Sequence, residues 1–319
     1  MSVIAADSQS QKPEEDFKIT LPLCIEEDFA AASPKAFAKK LSIAKMALHS
    51  QRRDGAPATL ELWTDFDETV SRTIAKHGER TKSTWEILHP TLPRHLQAES
   101  SADRRTCLAL QDQGALTIQA MNAWTLRELS RLKQALAEDV KKQSDNIILR
   151  SGAQDLFGFC AKHDIRTLIV SAGITEVIQY VTTKHGITTS GIVANALYDG
   201  KWDSPAQGID GLVNTQNKRV QAEARFPARA GERRCIVVLG DNLHDSLMAQ
   251  DNSDDIVIRI RTADKQGNTE AYLKESFGII VAKNENGIEE KYPGFDLVLR
   301  EQGLEVVTTL LKYLTDRIA

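Results

Sequence analysis

The stretch Asp65-Phe66-Asp67-Glu68-Thr69-Val70 offers two carboxylates two positions apart, directly after the apolar run Leu60 to Thr64. Residues two apart share one face of a strand. If the run is a strand, Asp65 and Asp67 face a common pocket at its carboxyl end, where open α/β sheets bind their ligands. One carboxylate can attack phosphorus as a nucleophile while its neighbour handles protons. The plain alternative is an acidic, solvated turn. Thr69 would support this loop by hydrogen bonding, or simply cap a helix.

Two later stretches favour the chemical reading. Thr167 to Gly173 is an apolar, β-branched run ending in Ser171-Ala172-Gly173, and Cys235 to Asp241 is another, followed by Asn242-Leu243-His244-Asp245. Short, nearly all-apolar runs bounded by turn residues read as strands buried on both faces, hence a parallel sheet. The Ser171 hydroxyl and the Ala172 and Gly173 amides could bind phosphate at the start of the next helix. The same residues also suit a capping serine and a turn glycine. Between these runs, Asn217-Lys218 marks a candidate helix start. Lys218 could set a point charge against phosphoryl oxygens and hold Asp65 ionised.

The elements that must position these groups alternate strand with helix, which predicts a mainly parallel α/β sheet with right-handed crossovers. Ser33 as cap and Pro34 at the first helical position predict a helix to His49. Residues 51–58 form a loop into the first strand. Further strands are expected over Ser190–Leu197, ending at Asn195, over Asp255–Ile260 and over Phe295–Leu299. Helices are expected over Thr175–His185 and Leu304–Leu314, and a hairpin or loop over 198–214. Residues 72–164 hold no comparable strand, and Leu126, Leu129, Leu132 and Leu136 recur at helical spacing. That stretch reads as a helical cap over the sheet's carboxyl edge, the alternative being a crossover of several helices. The division is a polar, disordered tail at 1–19, a Rossmann-like core at 20–71 and 165–319, and the cap at 72–164.

In their order, the motifs DFDET, SAG, Lys218 and GDNLHD resemble those of the haloacid dehalogenase superfamily of phosphatases. DFDETVSR, SAGITEVI, the Asn-Lys pair and LGDNLHDSLMA are similar to the type III cytosolic pyrimidine 5'-nucleotidases. The likeness extends from about Ser33 to the C-terminus, including Phe295–Leu299 and Leu304–Val307. It implies that Asp65 is the nucleophile and Asp67 the acid that protonates the leaving oxygen, then deprotonates the attacking water. It further implies Mg²⁺ held by Asp65, the Asp67 backbone carbonyl and Asp241, with Asp245 direct or through water. Oxygen ligands suit that ion; His244 is expected to be a neighbour, not a ligand.

In that family an aromatic ring early in the cap stacks on the base, and Trp85 falls near that place. It could stack on a pyrimidine or on a purine, including a methylated, cationic one, or pack the cap's interior. Trp124 matches a family tryptophan but has core spacing, and is expected in the core. The family's Glu-Glu-Lys segment is shortened here to Leu116–Ala120, which removes an acid expected at the base.

At 319 residues, 41% hydrophobic and 26% charged, the chain can bury a large core. A net charge of −4 gives no ground for a nucleic-acid or membrane-surface partner, and no apolar run is long enough to span a bilayer. Cys24, Cys107, Cys160 and Cys235 lack metal-ligand spacing and read as reduced thiols. The N-terminus shows neither signal-peptide nor transit-peptide character, so the expectation is a cytoplasmic, Mg²⁺-dependent phosphomonoesterase acting on a small phosphate ester, foremost a nucleoside 5'-monophosphate. The alternatives are a nucleoside phosphotransferase, a phosphatase for another small ester, and an inactive nucleotide-binding protein.

Overall fold

The computed structural model describes residues 29–31, 33–49, 58–72, 81–113, 115–133, 137–197, 212–229, 231–252, 254–263, 269–283, 289–299 and 303–316. The tail at 1–19, Cys24, the loop over 51–57, Leu136 and the stretch 198–211 lie outside them.

Five runs form the parallel centre: β2 (Thr59–Thr64), β3 (Arg166–Ile174), β4 (Gly191–Asn195), β5 (Arg234–Gly240) and β6 (Asp255–Thr262). Their side chains alternate between two packed faces. Leu62, Ile169, Val237 and Leu239 join one cluster, with Phe37 and Leu41 of α1 (Pro34–His49), Leu156 and Phe157 of α5 (Ala153–Lys162), and Val307 and Leu310 of α9 (Glu305–Thr315). Trp63, Leu168, Val170, Ile236 and Val238 join the other, which includes Ala222 of α7 (Lys218–Arg225). Burial on both faces explains why these strands lack polar alternation.

The seven-stranded order is β1-β9-β6-β5-β2-β3-β4, with β1 (Phe29–Ala31) antiparallel to β9 (Leu297–Leu299) and the other pairs parallel. From β2 the chain builds outward through β3 and β4, then returns to place β5 on the other side of β2. That reversal opens a crevice at the carboxyl ends of β2 and β5. Thr64 pairs with Ile169 and with Leu239, so Asp65, Val170 and Gly240 stand at nearly one level of the sheet, with Ser171 and Asp241 one residue beyond.

Between β2 and β3, the described residues form α2 (Arg94–Asp112), α3 (Ile118–Leu132) and α4 (Ala137–Ser144), followed by α5, which packs against the sheet. Thr117 caps α3 by accepting from the Ala120 amide at 3.1 Å. The chain leaves and returns through paired linkers: Ser71 bridges Leu149, Arg72 N donates to Ile148 O at 2.7 Å, and Arg150 N donates to Val70 O at 2.9 Å. The inner stripe of α3 is Thr125, Glu128, Leu129 and Leu132. Leu126 departs from the expected stripe: it is 36% exposed, one helical step around from the face that meets the core.

The sequence reading also missed a hairpin, β7 (Ile279–Lys283) with β8 (Glu289–Pro293), preceded by α8 (Glu270–Phe277). Ile279 and Val281 are 70% and 53% exposed, so the apolar content of β7 does not mark a buried strand.

Candidate active site

Asp65 follows β2 directly, its amide donating to Leu239 O of β5 at 3.0 Å. Asp241 and Asp245 come from the turn after β5, and Lys218 from the first position of α7. Carboxylate oxygens of Asp65, Asp241 and Asp245 all lie within 4.8 Å of one another. Lys218 Nζ lies 3.0 Å from Asp65 Oδ1 and 2.7 Å from Asp245 Oδ1, buried with both. Asp245 also accepts the Asn242 amide at 3.0 Å, closing a capping box over the short 3₁₀ turn Leu243–Met248. A Cβ on Gly240 would stand 2.1 Å from Asp245 Cβ, so only glycine lets this carboxylate fold back beneath the strand end. Thr69 donates to Asp241 Oδ1 at 2.9 Å, which fastens the loop after β2 to the turn after β5.

Burial pushes Asp65 above the ordinary carboxylate range, opposed by Lys218 and reinforced by Asp245. Asp241 is pushed up well beyond that range, by burial first and then by the charges of Asp245 and Asp65. Lys218 stays protonated throughout, because its surrounding acids outweigh its own burial. Three carboxylates thus face one ammonium, an excess of negative charge that calls for a cation. All the donors are hard oxygens, the set that Mg²⁺ takes. The residues fit such an ion.

Asp67 behaves differently. Its carboxylate turns toward the segment before α2, where Thr84 N donates to Oδ1 at 2.9 Å and Thr84 Oγ1 to Oδ2 at 2.6 Å. Its pKa is pushed up to about 7 by burial, against the Thr84 hydrogen bond and with the nearby charge of Asp65 adding. Next to it, Glu68 adopts the left-handed conformation, φ 59°, uncommon for a residue with a side chain. The buried Arg150 guanidinium donates from Nη2 to Glu68 O at 2.6 Å and steadies that turn.

The Ser171 region requires a correction. Helix α6 (Thr175–Lys184) begins at Thr175, as expected, but β3 runs on to Ile174, so the Ala172 and Gly173 amides lie in the strand and not in the first turn of that helix. The register of β3 on β4 shifts between Val170 and Ile174, which curls this segment. Gly173 N donates to Ser171 Oγ at 3.0 Å, so that amide is engaged within the chain. Ala172 O accepts from Trp85 Nε1 at 2.9 Å and from Asn195 Nδ2 at 2.8 Å. Ser171 keeps its own hydroxyl hydrogen to donate, at the end of the strand beside β2.

Alongside lies a cavity of ≈ 520 Å³ whose walls include Trp85, Glu86, Ser100, Arg104, Trp124 and Glu128. Trp124, expected in the core, is half-buried and lines this space, its ring centroid 5.8 Å from that of Trp85 at a 39° tilt. Apolar spacing on a helix marks an inward face, and here that face borders a cavity. The sequence reading also missed Glu128: it is buried, accepts Ser100 Oγ at 2.7 Å and pairs with Arg131. It supplies an acid on α3, although the segment Leu116–Ala120 carries none. No motif marks Thr84, Arg150 or Glu128; the only sequence signal was the adjacency of Thr84 to Trp85.

A family model described as pyrimidine 5'-nucleotidase (UMPH-1) matches residues 68–315. The chain is similar to the 7-methylguanosine phosphate-specific 5'-nucleotidase A of Xenopus laevis, 24% identical over 281 residues, covering 82% of this chain and 89% of the relative. The human 7-methylguanosine phosphate-specific 5'-nucleotidase is 25% identical over 280 residues, with 82% and 87% covered. Among solved structures, cytosolic 5'-nucleotidase IIIB bound to cytidine superposes with a TM-score of 0.66 over 90% of this chain and 92% of that one, at 19% identity, a likeness of fold. The chain belongs to the pyrimidine 5'-nucleotidase (UMPH-1) family and is a phosphoric monoester hydrolase of the 5'-nucleotidase type.

Proposed function

We propose that this member of the pyrimidine 5'-nucleotidase family is a Mg²⁺-dependent enzyme that hydrolyses nucleoside 5'-monophosphates through an aspartyl-phosphate on Asp65. The observation that carries the reading is a shared wall: Thr84 holds Asp67 beside the acid cluster, and the next residue, Trp85, lines the cavity. In this reading a phosphate site beside Asp67 and a site for a planar group beside Trp85 adjoin through these two residues, the cavity itself being lined by none of Asp65, Asp67, Ser171, Lys218, Asp241 and Asp245.

Asp65 attacks phosphorus as the carboxylate, favoured in that state by Lys218 at 3.0 Å. Asp67, with a pKa near the working pH, gives its proton to the leaving 5'-oxygen and later takes one from the attacking water. Lys218 and the Ser171 hydroxyl bind phosphoryl oxygens. Thr69 holds Asp241 in place. Asp65, Asp241, Asp245 and the Asp67 carbonyl would hold Mg²⁺, which when bound neutralises charge between nucleophile and phosphate.

The cavity takes the base. Trp85 and Trp124 offer aromatic faces that suit a planar base, a methylated, cationic purine included, and Glu128 and Glu86 line the same space in ion pairs with Arg131 and Arg104. We therefore place 7-methylguanosine 5'-phosphate beside the pyrimidine monophosphates as a substrate; the names of the Xenopus and human relatives support this. The relatives named cytosolic agree with a cytoplasmic site of action.

The test is release of inorganic phosphate from a panel of nucleoside monophosphates and sugar phosphates, with and without chelator. Turnover of nucleotides, lost on chelation and restored by Mg²⁺, is expected. Good turnover of sugar phosphates with none of any nucleotide rejects the assignment. Transfer of phosphate to an added nucleoside would move the reading to a phosphotransferase.

A further inference from the structure

We infer that Thr84 is a positioning residue for the general acid, and that the segment leading into the helical insert controls proton delivery as well as enclosing the base. The inference rests on the role proposed above for Asp67.

Thr84 is fully buried and makes three hydrogen bonds that join three parts of the site. Its amide and hydroxyl donate to the two oxygens of Asp67, at 2.9 and 2.6 Å. Its hydroxyl oxygen accepts from Ile174 N at 3.1 Å, at the end of β3. An amide can only donate, so Ile174 N takes a lone pair of the hydroxyl oxygen while the hydroxyl's single hydrogen is directed to Asp67. Two donors on two oxygens fix the plane of the carboxyl group and leave its outward lone pairs for the proton in transit.

Gly173 gives independent support. A Cβ there would stand 2.5 Å from Thr84 Oγ1 and 3.0 Å from Asp67 Oδ2, so the neighbouring strand end is hollowed where threonine and acid meet. On the other side, Trp85 Nε1 donates to Ala172 O at 2.9 Å and its ring lines the cavity. A group stacked on Trp85 therefore bears on the residue adjacent to the one holding Asp67.

In the step at issue, a bond forms between an Asp65 oxygen and phosphorus while the bond from phosphorus to the 5'-oxygen breaks. The Asp67 proton passes to that oxygen, which leaves as the nucleoside hydroxyl. Mispointing the acid slows the step without disturbing the nucleophile.

The experiment is a double-mutant cycle on kcat/KM for a nucleoside 5'-monophosphate in the full-length Mg²⁺-loaded enzyme, using T84V, D67N and T84V/D67N, with T84S as the hydroxyl-retaining control. Expected is a loss of about 10- to 100-fold for T84V in the parent, a loss under about 3-fold on adding it to D67N, and T84S within about 3-fold of the parent. Equal losses in both backgrounds, or no loss in the parent, overturn the inference while leaving the nucleotidase reading intact. A parent protein that hydrolyses no nucleotide removes that reading and this inference with it.

Discussion

The acid cluster at the sheet edge and the cavity in the helical insert are built on opposite plans. In the cluster, each group sits at the end of a strand or the start of a helix: Asp65 after β2, Asp241 and Asp245 after β5, Lys218 opening α7. Their positions follow from pairing register, and their charges determine one another's protonation. In the cavity, Trp85, Ser100, Trp124 and Glu128 come from a turn and two helices, and meet only because those helices pack together. On the proposed function, the contrast separates chemistry at the sheet edge from selection in the helical insert.

Replacing the proposed nucleophile tests the chemical side most severely. Asp65→Asn should lower kcat by about 10⁴-fold or more, while a nucleoside without phosphate still binds with unchanged affinity. Equal loss of nucleoside binding would show that the two regions are not separable. Lys218→Met should cost about 10²–10³ in kcat, the typical value of one positioned electrostatic donor. It should also lower the thermal midpoint, because it leaves Asp65 and Asp245 buried without their cation.

Trp124→Ala addresses the other region. Losing one stacking face should raise KM for a nucleotide by about 10-fold, within the roughly 1–3 kcal/mol of a base–aromatic stack. Phosphate release from a small ester lacking a base should stay near the parental rate. A matching fall for both substrates would return Trp124 to a purely structural role.

The smallest effect concerns pH. Asp65, Asp67 and Asp241 all have folded pKa values above the ordinary carboxylate range, Asp67 reaching about 7. Below about pH 4 these acids are protonated whether the chain is folded or not, and their contribution to stability is complete. As pH rises toward 7, the unfolded chain releases protons that the folded protein retains, so stability falls through that window. Lys218, with its raised value, stays charged across it. The metal-free protein should therefore melt several degrees lower at about pH 8 than at about pH 5.5, and Mg²⁺ should recover the difference by binding the folded state. A flat profile would mean that the acids are not buried together.

The positions of the strand-end acids could be read in advance because β2 and β5 are short apolar runs whose last residues abut Asp65 and Asp241 in the chain. The same logic faltered at Ser171-Ala172-Gly173. The register of β3 on β4 shifts after Val170, the strand runs through these residues to Ile174, and the Gly173 amide is engaged by Ser171. Trp124 was misread because helical periodicity reports an inward face and cannot distinguish a packed neighbour from an open cavity. Thr84 left no trace beyond its adjacency to Trp85: a lone threonine outside regular structure acquires meaning only from Asp67 and Ile174, distant from it in the chain.

Linear order alone thus determined the sheet class, the strand-end acids, the lysine at a helix start and the helical interruption between β2 and β3. These are consequences of local periodicity and of covalent adjacency, which a one-dimensional string preserves. Only the three-dimensional arrangement decided which acids share a cation-demanding cluster, which one turns away to Thr84, and which insert side chains surround the cavity. Those outcomes depend on distances between residues far apart in the chain, set by how the sheet curls and the helices pack.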